Sequence, residues 1–175
     1  PAAPAALAPA AVRAPAIVAL PETPVPANDP VARGLLDIKL ADRNFETDRF
    51  LTGARSAYER IVPAFAAGDR DSLRPLLSDE VYQAFDTAIT QRQARGESVS
   101  FSFAGFRDVK IVQAGMREQS AEITLSFGGR FVSVTRDRNG TIIEGDEKAV
   151  PDVTDLWTFS RDVRARDPGW QLVAK

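Results

Sequence analysis

The side chains on which most enzymes rely are missing from this sequence. Its 175 residues include no His and no Cys. That removes Ser–His and Cys–His dyads, thiolate nucleophiles, disulfides and nearly every zinc or haem site. Carboxylate and phenol chemistry remains, and Tyr58 and Tyr82 are the only phenols. Asp155 is the carboxylate to weigh first. Alternation places it on the strand face that carries Val153, Trp157 and Phe159, where a carboxyl beside aromatics has a raised pKa and can act as a base. The plainer reading is an acid hydrogen-bonded to Arg161 or to a helix residue, and it is preferred because the chain offers Asp155 so few catalytic partners.

Residues 135–146 invite a calcium test, because Asp137, Asn139, Gly140 and Asp146 fall at four positions of an EF-hand loop. The first position is Thr135, however, the last is Asp and not Glu, and the flanks alternate like strands. A β-hairpin turning on Asn139-Gly140 is favoured. Asn139-Gly140-Thr141 also fits the glycan acceptor pattern and is read as coincidence. The expectation is therefore no catalytic residue, no metal and no cofactor.

Charge and composition restrict the partners. Lys plus Arg total 22 against 24 Asp plus Glu, a net charge of −2, which argues against nucleic acid. With 44% hydrophobic residues the chain can bury a sizeable core. Its aromatic residues read mainly as that core. Phe65, Tyr82, Phe85, Phe127, Trp157 and Phe159 are the candidates for lining an apolar pocket able to take an acyl chain or a peptide side chain.

The elements that must position these groups are legible. Residues 1–29 hold seven of the 12 prolines amid alanines, where neither helix nor sheet propagates, and read as an extended linker. The chain begins without Met and is read as a fragment or processed form, with a membrane anchor upstream as one expectation. Asp29-Pro30 opens a first helix reaching about residue 42. On it Arg33, Leu36, Lys39 and Leu40, with Arg43 just beyond, are candidates for contact with a membrane surface or a partner. A second helix carries Leu51, Ala54, Tyr58, Ile61 and Phe65 at steps of three and four. Pro63 within it predicts a kink near Glu59. A short helix over residues 71–77 and one capped by Ser78 and ended by Gly96 follow.

Beyond Gly96 the period changes from 3.6 to 2. Val99, Phe101 and Phe103 alternate with serines, and Ile123, Leu125 and Phe127 with polar residues. Gly128-Gly129 interrupts, and Val132 and Val134 resume in the other parity, which predicts a bulge or bend at the glycine pair. Helices followed by strands mean α+β, with the helices packed on one face of a bent antiparallel sheet.

The segment Asp42-Arg43-Asn44-Phe45-Glu46 through Phe50-Leu51-Thr52-Gly53-Ala54-Arg55 resembles the opening of the C-terminal domain of the translocase-of-inner-membrane subunit 44 family, and is similar above all to its bacterial (alphaproteobacterial) TimA-type adaptors. Ala64-Phe65-Ala66-Ala67-Gly68-Asp69, Asp137-Arg138-Asn139-Gly140, Asp155-Leu156-Trp157-Thr158-Phe159-Ser160-Arg161 and Trp170-Gln171-Leu172 extend the likeness over about residues 31–175. The resemblance implies a cystatin-like or nuclear-transport-factor-two-like cone with a pocket. It further implies a non-enzymatic adaptor at the inner membrane that binds translocase, chaperone or scaffold proteins and contacts acidic lipid. On this reading the Ala/Pro linker stands in place of the family's chaperone-binding N-terminal region, and only the membrane-proximal domain's role is expected to carry over. A small-ligand or acyl-chain pocket protein, or a minor enzyme, of the same fold group is the alternative, and a homo-oligomer is a further expectation, since open sheets pair face to face.

Overall fold

A computed structural model describes residues 29–175, so the expected linker lies outside the described residues except for Asp29. Helix α1 spans Pro30–Ala41, with the Asp29 carboxylate accepting the Val31 N–H at 3.0 Å and proline in its first turn. Helix α2 spans Thr47–Ala67 and buries Phe50, Ala54, Tyr58, Ile61 and Ala64. That face is turned slightly from the expected one, leaving Leu51 and Phe65 half-buried at its margins. The helix continues through Pro63, held by side chains buried on both sides of it. Gly68 ends it in the left-handed region at φ 72°. The Arg92 guanidinium then donates to the carbonyls of Phe65 and Ala66, adding to the Gly68 N–H that Phe65 already accepts and capping the helix end.

A short α3, Arg70–Leu73, and a 3₁₀ turn, Arg74–Leu76, lead to α4, Asp79–Ala94. Ser78 caps α4 by accepting the Val81 N–H, and Asp79 and Glu80 occupy its first turn, where the helix dipole favours negative charge.

Five strands follow: β1 Ser98–Arg117, β2 Ser120–Arg136, β3 Ile142–Glu144, β4 Asp152–Asp162 and β5 Gln171–Ala174. They form one open antiparallel sheet in the order β1-β2-β4-β5, with β3 also against β2. Asn139-Gly140 lies in the β2–β3 turn, where the Asp137 carboxylate accepts the backbone N–H groups of Asn139 and Thr141 at 2.9 and 3.0 Å.

The glycine pair behaves differently from the sequence expectation. β2 pairs with β4 without interruption through Gly128 and Gly129, and the register shifts fall where β1 carries extra residues, at Ala104, Arg107 and Val112. The bulges thus belong to the neighbouring strand. At Gly128 the ends of the Arg107 and Asp108 side chains lie where a Cβ would be. Phe131 stays on the inner face, its ring 5.0 Å from Phe101.

Ala121, Ile123, Leu125 and Phe127 of β2 and Trp157 and Phe159 of β4 form the floor of the core. Tyr58 descends from α2 onto this floor with no exposure, its ring 4.7 Å from Phe127 and 4.6 Å from Trp157. The centre of the sheet is filled by stacked aromatics, and open space is displaced to the side of α2.

Candidate binding groove

The first helix ends in a turn that is tied down at several points. Asn44 N–H donates to the Asp42 carboxylate and Phe45 N–H to the Asp42 carbonyl, both at 3.1 Å. The Lys39 ammonium donates to the carbonyls of Arg43 and Phe45, each at 2.8 Å. These bonds fix Phe45 against Phe50 and Trp170, and the Phe50 and Trp170 rings meet edge to face at 4.7 Å. Phe159 supports Phe50 from the sheet.

Between this aromatic floor, α2 and the loop before β5 lies a cavity of about 570 Å³, open to solvent. Arg49, Gly53, Ser56, Ala57 and Arg60 form its α2 wall, and Arg166, Pro168 and Gly169 form the opposite one. Arg161 holds the two sides. Its guanidinium donates to the Asp42 carboxylate at 2.8 Å and to the carbonyls of Ala165 and Asp167 at 3.2 and 3.3 Å. The Arg161 and Asp42 side chains are only 13% and 19% exposed. A planar guanidinium can serve three acceptors at once where an ammonium holds a looser geometry. Arg49 is paired at 3.6 Å with Glu46. Among the described residues, no ion pair engages Arg60 or Arg166. The groove therefore joins an apolar floor to a cationic rim, an arrangement suited to binding an amphipathic anionic group.

The six aromatic candidates for a pocket fall in three places. Phe127 and Trp157 are locked in the core, because Tyr58 occupies the space above them. Phe159 lies beneath the groove and borders it. Phe65 and Phe85 pair at 4.8 Å at the far end of α2, with the Lys175 ammonium over both rings, while Tyr82 lies under Arg74.

Apart from Phe159, the residues that line the groove were not among the sequence candidates for a pocket. One signal was available: Arg49, Gly53, Ser56, Ala57 and Arg60 lie at helical steps on one face of α2. On α1, Leu36 and Leu40 are 57% and 71% exposed, and Arg33 and Arg43 are exposed beside them. Lys39 is exposed as well, but its ammonium is engaged in the turn.

Asp155 accepts a hydrogen bond from the Tyr58 hydroxyl at 2.8 Å, so the helix-residue alternative describes it. Arg161 is committed to Asp42. Burial pushes the Tyr58 phenol well above its usual range, and the hydrogen bond to Asp155 and that residue's negative charge push it the same way. The Trp157 indole N–H is buried without an acceptor among the described residues.

Helices on one face of an antiparallel sheet, with a rimmed apolar groove beside the core, define a small α+β domain with the geometry of a binding module. Residues 31–175 match the Tim44-like domain, and the chain belongs to that family. It is 25% identical over 142 residues to the human mitochondrial import inner membrane translocase subunit TIM44, covering 79% of this chain and 31% of the human protein. To the probable Caenorhabditis elegans subunit tin-44 it is 25% identical, over 82% of this chain and 35% of that protein. The Drosophila melanogaster large ribosomal subunit protein mL45 is 23% identical over 77% of this chain and 38% of its own. The chain thus spans about a third of the length of these relatives. Among solved structures, a conserved protein from Planctomyces limnophilus aligns with a TM-score of 0.42 at 17% identity, over 73% of this chain and 96% of that one.

Proposed function

We propose that this domain is a non-enzymatic adaptor of inner-membrane protein transport or assembly, of the bacterial TimA type, which holds a protein partner beside the membrane. The observation that carries the reading is the groove itself, an aromatic floor with the guanidinium groups of Arg60 and Arg166 at its rim. Family membership supports it, since the TIM44 relatives are translocase subunits by name. The groove is continuous with α1 through Asp42, Asn44 and Phe45, so the exposed Leu36–Leu40 face and the partner site share one end of the molecule. Leu36 and Leu40 with Arg33 and Arg43 suit the surface of an acidic bilayer, the leucines entering the interface and the arginines meeting phosphates. No described helix is long and apolar enough to cross a membrane, so such contact would be peripheral.

The test uses the full-length protein in its native membranes. A photo-crosslinking residue at Leu36 and one at Trp170 should give lipid and protein adducts respectively, with the protein adduct a discrete band. Absence of both adducts would remove the adaptor reading. The apolar floor also favours a second reading, a pocket for an acyl chain. Native mass spectrometry of the purified domain would then show a retained lipid, lost in Trp170→Arg.

A further inference from the structure

Gly53 sits in the middle of α2, where glycine is the least favourable residue short of proline. The fold gives no reason for it. A Cβ built there meets, among the described residues, no atom within 4 Å beyond its own helix backbone, and Gly53 lies within regular helix. This differs from Gly34, whose Cβ would collide with the backbone of Ala114. Gly53 also lies on the groove wall, one helical turn from Arg49 and two from Arg60, beside Ser56 and Ala57. Missing side chains on a helix face let a second helix approach closely, and the aromatic cavity below would take a large side chain from it.

We infer that the groove is a docking site for an amphipathic helix of a partner protein, with acidic residues on either side of a large apolar anchor. The inference rests on the adaptor reading and names its partner chemistry. Charge sets the occupant. Arg49 and Arg60 stand about 16 Å apart along the α2 axis at the helical rise, and Arg166 faces them from the other wall. Of the acids at the rim, Asp42 is engaged by Arg161, while Glu46 meets Arg49 only at 3.6 Å with both side chains exposed. Such a surface pair is worth little, which leaves Arg49, Arg60 and Arg166 to incoming carboxylates. The strand residue beneath the groove, Phe159, offers no free sheet edge, because β4 is paired there with β2 on one side and β5 on the other. A helix in a groove therefore fits better than an added strand.

The experiment selects helical peptides from a randomised displayed library on the purified domain, with Gly53→Leu as counter-target. Peptides carrying Asp or Glu about three turns apart around a central Leu, Phe or Trp should enrich. Their affinity should fall about tenfold or more in Gly53→Leu and in Arg60→Glu, and should weaken with salt. Gly53→Ala controls for folding and should raise Tm by about 3 °C. No enrichment, enrichment of basic or neutral sequences, equal binding to Gly53→Leu, or a lowered Tm in Gly53→Ala would each overturn the inference. Binding of diphosphatidylglycerol vesicles that Gly53→Leu abolishes, with no peptide selected, would also overturn it by assigning the groove to lipid. A protein adduct from native membranes that persists in Gly53→Leu would leave the adaptor reading standing and place its partner elsewhere.

Discussion

Arg161 is the residue on which the shape of the groove depends. It joins the turn after α1 to the loop before β5 through one carboxylate and two carbonyls. Replacing it by Ala leaves a largely buried Asp42 without its donor and should cost about 2–3 kcal/mol. Arg161→Lys restores the charge without the fork and should recover only part of that stability. Urea midpoints report the difference, and equal stability of the Lys variant and the native protein would show that charge alone suffices. Tyr58 makes a second residue-level prediction. Its phenol holds its proton more tightly in the folded protein than in the unfolded chain, where loss occurs near pH 10. Its contribution is complete below that pH and fades as the pH rises beyond it. Tyr58→Phe should lose about 1–2 kcal/mol at neutral pH, because Asp155 loses a donor. It should also flatten the alkaline decline in stability, whereas a parallel decline in variant and native protein would contradict the assignment.

Among the elements, α1 depends on a close approach. Gly34 lies directly against the β1 backbone at Ala114, and Ile38 is the buried anchor beside it. Gly34→Ala must lift the helix off the strand and should cost about 1–3 kcal/mol. Hydrogen exchange should then quicken in α1 and leave α4 unchanged; uniform protection in the variant would show that the strand gives way instead. The periodicities that define the elements were visible in the sequence: the steps of three and four in α2, the Ser78 cap and the alternation in β2 and β4. In β1, Gly105 at φ 140° marks the first irregularity in the sequence, whereas the extra residues Arg107 and Val112 carry no signature of their own. The parity change after Gly128-Gly129 came from Val132 and Val134 standing on the face of β2 opposite Phe131, where Val134 is nonetheless buried. Tyr58 and Trp157 read correctly as apolar-face residues, but only packing shows that they fill the cup instead of lining it. Arg49, Gly53 and Arg60 share a helix face that a wheel would display. Their meeting with Arg166 and Trp170 depends on a contact distant in sequence.

At the scale of the whole molecule, the turn Asp42–Phe45 joins the exposed leucines of α1 to the groove, the two surfaces proposed to meet membrane and partner. Leu36→Asp combined with Leu40→Asp should reduce flotation with vesicles containing diphosphatidylglycerol while leaving Tm nearly unchanged, since both side chains are exposed. Undiminished flotation would move the lipid contact off α1. The central claim is that the arginine-rimmed groove receives a protein partner. It is tested most directly by a photo-crosslinking residue at Ser56, inside the groove, compared with one at exposed Lys110 on β1, in native membranes. A discrete protein adduct from Ser56 and none from Lys110 is the predicted result. The same adducts from both positions, or none from Ser56, would contradict the account.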